Sequence, residues 1–271
     1  MNRPKLKLIG NDHGMAYVDA GSGPAVVFIH GSLCDYRYWT PQLDALADGW
    51  SILAPSLSHY FPRLPSADRF PFRWSQHADD VVSFCRKLRH ERVHLVGHSR
   101  GASVAFQAVL RDPAAFASVT LLDPGGAVEG EGSDEGSTSA TQRVRCEARD
   151  LIARGEVDAG LSLFVNSVSG PAQWERSPEW FRRMARDNAH TLGPQLDDPL
   201  PMMMQADAQA LSCPVLLVDG EKSPSVYRRN VATLAQWLPC AQHATIAGAS
   251  HGMSMTHAGA FNAVLRSFLS H

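Results

Sequence analysis

The chain has 271 residues, 44% of them hydrophobic and 19% charged, enough for one large α/β domain with an insertion and too apolar for wholesale disorder. A formal net charge of -2 gives no broad positive field for a phosphate backbone or an anionic bilayer, so no nucleic-acid and no membrane partner is expected. No apolar stretch reaches signal-peptide or membrane-span length, which points to the cytoplasm, and the five scattered cysteines, Cys34, Cys85, Cys146, Cys213 and Cys240, read as small core residues with neither disulfide nor zinc spacing.

Residues 5–20 read as an antiparallel hairpin turning near Asn11-Asp12-His13-Gly14. Short Val, Ile and Leu runs at 25–29, 52–54, 93–96, 119–122 and 215–218 predict strands buried on both faces. Amphipathic helices are predicted between them at 41–48, 77–90, 102–111, 225–237 and 257–269. Strand alternating with helix implies a mostly parallel sheet covered on both faces. The rhythm breaks after Leu122: residues 125–140 are rich in Gly, Ser and acidic side chains and predict a mobile loop. Helical patterns then follow at 141–154, 157–168 and 177–190. Residues 127–208 therefore read as an inserted helical cap on a core made of 1–126 and 209–271.

Within the core, Gly97-His98-Ser99-Arg100-Gly101 follows the run Val93-His94-Leu95-Val96 and precedes the small apolar start of a helix. A tight strand-to-helix turn needs glycines at 97 and 101 and lifts Ser99 to the carboxyl edge of the sheet, beside a helix N-terminus that favours negative charge. Ser99 is thus a candidate nucleophile. A serine hydroxyl needs a base within hydrogen-bond reach. Of the twelve histidines, His251 in Gly248-Ala249-Ser250-His251-Gly252 is favoured, because its loop follows the last strand-like run, 244–246, and opens on the same edge. His59, His77, His90, His190 and His271 read as solvent-facing, and His98 as structural beside the turn.

Val27-Phe28-Ile29-His30-Gly31, Trp39, the GHSRG turn and the GASHG loop together resemble the α/β-hydrolase superfamily over residues 14–126 and 209–271. The resemblance implies the α/β-hydrolase fold, an α/β class with a mostly parallel eight-stranded sheet, helices on both faces and an inserted helical cap. It also implies an oxyanion hole from the backbone amides of Ser32 and Arg100, each donor worth roughly 3 kcal/mol of barrier. Where the family usually keeps the acid that orients the histidine, this chain has Ser223. Asp123, after the sixth strand, is the preferred replacement, with Asp219 and Glu221 as alternatives.

A serine in the nucleophile position implies a covalent acyl-enzyme and hydrolysis of a carboxylic ester, lactone or thioester, with no cofactor and no metal. Relatives that open epoxides or remove halides use an aspartate there. A carbon–carbon bond hydrolase, a cofactor-free perhydrolase and a noncatalytic binding protein are the competing readings. Phe164, Trp174, Trp180, Phe181 and Met202-Met203-Met204 either line an apolar pocket for a small-molecule substrate or pack the cap onto the core. Tyr60 and His59 sit in an unusual Ser56-to-Pro62 stretch and receive no role.

Overall fold

The Val- and Leu-rich runs form the centre of a sheet whose strands are β1 (Lys7–Ile9), β2 (Met15–Ala20), β3 (Ala25–Ile29), β4 (Ser51–Pro55), β5 (Val93–His98), β6 (Phe116–Leu122), β7 (Val215–Gly220) and β8 (Gln242–Ile246). The computed structural model describes residues 5–9, 15–62, 70–130 and 135–270, so the turn expected at 11–14 lies outside the described residues. Strand order is β1-β2-β4-β3-β5-β6-β7-β8. The pairs β1·β2 and β2·β4 are antiparallel, and every later pair is parallel. The mostly parallel, eight-stranded architecture expected from the sequence is the one observed.

Side chains alternate across a strand, so each central strand feeds two cores. Val27, Ile29, Leu95, Leu121 and Leu217 face one cluster, against Ala78, Val81, Phe84, Ala105 and Val231 of the helices Trp74–Lys87, Arg100–Arg111 and Ser225–Trp237. Val26, Phe28, Val96, Leu122, Leu216 and Val218 face the other, against Leu43, Leu46, Phe261 and Leu265 of the helices Thr40–Leu46 and Ala258–Leu269. Burial on both faces explains the continuous apolar runs of the central strands.

Between β6 and β7 the chain departs from the sheet and builds the helices Glu135–Ala153, Val157–Ser169, Glu179–Asn188 and several shorter ones. Ala148, Leu161, Phe164, Val165, Trp174, Ala185 and Leu192 form a third apolar cluster there, joined by Leu33 from the loop after β3. These helices are tied to the loops after β3 and β4 by polar contacts. Asn188 Nδ2 donates to Asp35 Oδ2 at 2.8 Å, Phe61 N–H donates to Asn188 Oδ1 at 2.7 Å, and Arg37 pairs with Asp187 at 2.8 Å.

The mobile loop or linker expected at 125–140 is corrected on either side of residues 131–134, which lie outside the described residues. Met203 N–H donates to the Ala127 carbonyl at 2.9 Å and Glu129 N–H donates to the Met203 carbonyl at 3.0 Å, burying Val128 beneath a short parallel bridge. Asn230 Nδ2 holds the Pro124 and Gly126 carbonyls at 2.8 and 3.0 Å. Composition missed these partners because all of them are distant in sequence. The following helix also starts earlier than expected, at Glu135, since extending a formed helix costs far less than starting one.

The helix Arg100–Arg111 lies so close to β3 that a methyl group on Gly101 would stand 2.3 Å from the His30 carbonyl oxygen and 2.5 Å from that of Ile29. Gly101→Ala is therefore expected to lower stability by about 1–3 kcal/mol in urea unfolding, through forced separation of helix and strand. Gly259→Ala, in a helix with open space around the same position, should instead stabilise by roughly 0.5–1 kcal/mol.

Candidate active site

Ser99 stands between β5 and the helix Arg100–Arg111 with φ 55° and ψ -122°, a conformation that costs a non-glycine residue on the order of 1–3 kcal/mol. The surroundings enforce it. Ser99 N–H donates to the Leu122 carbonyl at 2.9 Å, continuing the β5·β6 ladder, and the Ser99 carbonyl accepts from Gly125 N–H at 3.1 Å. On the next strand Asp123 repeats the pattern: its φ is 40°, and its N–H donates to the Val218 carbonyl at 2.9 Å. Two side chains are thus turned out at neighbouring ends of the carboxyl edge.

His251 comes from the loop after β8 and donates Nδ1–H to Asp123 Oδ2 at 3.0 Å. The same oxygen accepts the Ser223 hydroxyl at 2.6 Å. His98 donates Nε2–H to the His251 carbonyl at 2.7 Å, and the two rings lie 4.6 Å apart. Asp219 and Glu221 are engaged elsewhere: Asp219 Oδ1 accepts the Thr245 hydroxyl at 2.7 Å, and Glu221 Oε2 accepts Gly248 N–H at 2.7 Å. Of the three carboxylates weighed from the sequence, only Asp123 meets His251 among the described residues.

Sequence reasoning missed Tyr227 and Arg145. The Tyr227 ring stacks on His251 with centroids 4.0 Å apart and planes at 17°, and both Tyr227 and Arg145 border the same cavity as Ser99; burial pushes the Tyr227 phenol up, and Arg145 and Ser99 act against that shift. An aromatic in the first turn of a helix reads as core, and a cation on an amphipathic helix reads as solvated. Neither carried a signal of its own.

Burial dominates the electrostatics. It drives the His251 imidazole down to about 3, with the Arg145 charge acting in the same direction. It pushes the Asp123 carboxyl up to about 7, against the Ser223 hydrogen bond that favours the carboxylate. The uncharged form of each partner is therefore favoured, and above about pH 7 the pair is an ionised Asp123 beside a neutral His251.

On the opposite side, fully buried His30 pins the loop after β3. Its Nδ1–H donates to the Gly31 carbonyl at 2.9 Å and its Nε2 accepts Leu57 N–H at 3.0 Å. Gly31 lies against the turn, where a methyl group would stand 3.1 Å from Ser99 Cβ. Ser32 and Arg100 border the same cavity as Ser99 and His251, a space of about 1060 Å³. The Ser32 hydroxyl donates to Gln195 Oε1 at 2.6 Å, and the Arg100 guanidinium turns away toward Asp198, 3.6 Å distant, and the Phe72 ring.

Several bland readings need correction. His77 is buried, not solvent-facing: the helix Trp74–Lys87 carries it inward, where Nε2 donates to the Ser58 carbonyl at 3.1 Å. His59 is half-buried and donates to the Phe70 carbonyl. Phe164, Phe181 and Met202 border the cavity, whereas Trp174 and Met203 pack inside and Trp180 and Met204 face solvent. Cys34, Cys85 and Cys213 are buried as expected, but Cys240 is exposed.

With this geometry in place, the chain belongs to the alpha/beta hydrolase family, whose match extends over residues 26–264. An epoxide hydrolase from Caballeronia sordidicola is 27% identical over 73% of this chain and 61% of its own length. The chain spans between about a third and three fifths of the length of the first curated relatives it matches. Among solved structures, a thermophilic esterase from Thermogutta terrifontis superposes with a TM-score of 0.75 at 20% identity, covering 98% of each chain. The carboxylesterase CesB from Bacillus subtilis superposes at 0.78 with 17% identity, over 98% of this chain and 92% of its own. Among the described residues no helix is long and apolar enough to cross a membrane.

The two opposed shifts predict a specific dependence of stability on pH. Ordinary values are 3.8 for Asp and 6.5 for His, so between about pH 4 and 6.5 the pair binds one proton whether folded or unfolded, and its contributions nearly cancel. Asp123→Asn removes the folded state's proton site while unfolded His251 still binds one. Its stability relative to wild type should fall as pH drops from 7 toward 4, by up to about 1.4 kcal/mol per pH unit. His251→Gln leaves a folded Asp123 that binds a proton its unfolded form releases, so its relative stability should rise over the same range. Urea midpoints measured from pH 5 to 8 check the signs, and slopes of the same sign in both variants would refute the assignment.

Proposed function

We propose that the protein is a serine hydrolase that cleaves a carboxylic ester, lactone or thioester through an acyl-enzyme on Ser99. The observation that carries this reading is that His251, bound through Nδ1 to buried Asp123, opens on the same cavity as Ser99 in its strained turn. With Nδ1–H committed to the carboxylate, Nε2 is the free base.

Ser99 Oγ attacks the substrate carbonyl carbon and passes its proton to His251 Nε2. The carbonyl oxygen becomes an oxyanion and accepts from the backbone N–H groups of Ser32 and Arg100. Arg100 opens its helix, so its N–H has no partner within the helix. Collapse breaks the bond to the alcohol or thiol, which leaves with the proton from His251. Water then adds to the acyl-enzyme by the same route and releases the acid. Asp123 remains a carboxylate and stabilises the imidazolium formed in each step. The helical segment 127–208 acts as a cap over the cavity, with Phe164, Phe181 and Met202 as apolar wall. A serine hydroxyl, unlike a nucleophilic carboxylate, suits acyl transfer rather than the reaction for which the epoxide hydrolase relative is named.

A fluorophosphonate probe should label the native protein on Ser99 and leave Ser99→Ala unlabelled; an unlabelled native protein would sink the proposal. With an activated ester, Asp123→Asn should lower kcat/KM by on the order of 10³–10⁴. Asp219→Asn and Glu221→Gln should stay within about tenfold, since neither meets His251. The acid limb of kcat/KM should bend near pH 7, where the Asp123–His251 pair takes its first proton.

A further inference from the structure

We infer that the cavity is built for a substrate whose acyl part carries a carboxylate, and that the Arg145 guanidinium binds it. The inference rests on the serine-hydrolase reading and names its substrate class. Arg145, Arg176, Lys222 and Arg229 border the cavity, as does Arg100, whose guanidinium turns toward Asp198, and no aspartate or glutamate does so among the described residues. The chain as a whole has a net charge of -2, so this excess is local.

Arg145 differs from its neighbours in how its charge is met. Arg100 has Asp198 at 3.6 Å, and Arg176 Nη2 donates to the Pro171 carbonyl at 2.6 Å. Arg145 instead touches the neutral phenol of Tyr227, and its buried Nε has no hydrogen-bond partner among the described residues. Burial is the main cause that lowers both His251 and Arg100, and the Arg145 charge acts on each in the same direction. The Arg145 guanidinium and the proposed base therefore border one cavity that no carboxylate lines among the described residues, and an anionic ligand would balance that charge. Geometry also sets where the anion goes. Tyr227, Arg145 and Ser99 border the same cavity, the Tyr227 ring stacks on His251 at 4.0 Å, and the Arg145 charge acts on both His251 and the Tyr227 phenol, which puts the guanidinium on the nucleophile's side of the cavity. A carboxylate bound there lies a few bonds from the scissile carbonyl, as in a succinyl or glutaryl ester. The apolar wall of Phe164, Phe181, Leu196, Leu200 and Met202 is left for the leaving alcohol. Water adds across the acyl–oxygen bond, giving a dicarboxylate and an alcohol with no further reactant.

The experiment compares kcat/KM for p-nitrophenyl hydrogen glutarate with that for p-nitrophenyl hexanoate, which matches it in length but lacks the charge. The wild type should favour the glutarate ester by about tenfold to a hundredfold, the range of a partly buried charge-assisted contact. Arg145→Gln should collapse the ratio to about one, and Arg145→Lys should keep most of it, because the point charge remains. In parallel, glutarate should raise the melting temperature of Ser99→Ala, and the shift should vanish in Ser99→Ala/Arg145→Gln. A wild-type ratio at or below one, or a ratio untouched by Arg145→Gln, overturns the carboxylate site and leaves the hydrolase reading standing. Failure of both esters and of fluorophosphonate labelling, with the glutarate shift present in Ser99→Ala, overturns the hydrolase reading and leaves the anion site. Should Arg145→Gln not fold, the wild-type ratio and the glutarate shift decide alone.

Discussion

The near-contact of a helix with a strand, made where Gly101 faces the carbonyls of Ile29 and His30, is the constraint on which the candidate site depends. It brings the start of the helix Arg100–Arg111 against the loop after β3, so Ser99, Gly31 and Ser32 become neighbours although the chain separates them by nearly seventy positions. The parallel register does the rest. Ser99 bonds to the end of β6 and Asp123 to the end of β7, so three strand termini are stepped along one edge. His251 needs only a loop from β8 to reach them. The strain at Ser99 and Asp123 is held by ladder bonds on both, a common arrangement where function requires a side chain turned out of a strand.

The acid side of the site shows how a departure and its compensation become one interaction. Ser223 occupies the place where a carboxylate was expected, yet its hydroxyl donates to Asp123 at 2.6 Å. A carboxylate at 223 would put two like charges on the same buried point, and one of them would have to stay protonated. The neutral hydroxyl avoids this and adds a hydrogen bond that favours the ionised form of Asp123. A neutral hydroxyl at 223 is therefore compatible with an ionised Asp123 where a second carboxylate would not be.

Much of the fold was legible because its signals are local. Central strands buried on both faces appear as unbroken Val and Leu runs, and the turn around Ser99 carries its own glycines. The long-range partners were not legible. Asp123 could be ranked above Asp219 and Glu221 but not decided, since the choice depends on which strand end faces His251. Residues 125–130 look unstructured by composition and are fixed by Met203 and Asn230. His77 looks like a surface residue until the helix Trp74–Lys87 packs inward. Tyr227 and Arg145 owe their importance to neighbours far away in sequence, on elements that meet only above the sheet edge.

Leu33 links two parts of the molecule that the chain order keeps apart. It belongs to the loop that carries Ser32, yet its side chain is 1% exposed and packs among Leu161, Phe164, Trp174 and Leu192 of the helical segment between β6 and β7. Separating Leu33 from that cluster would strand a leucine in water, at about 1.5–3 kcal/mol. Leu33 thus couples the helical segment to the loop that borders the cavity through apolar contact.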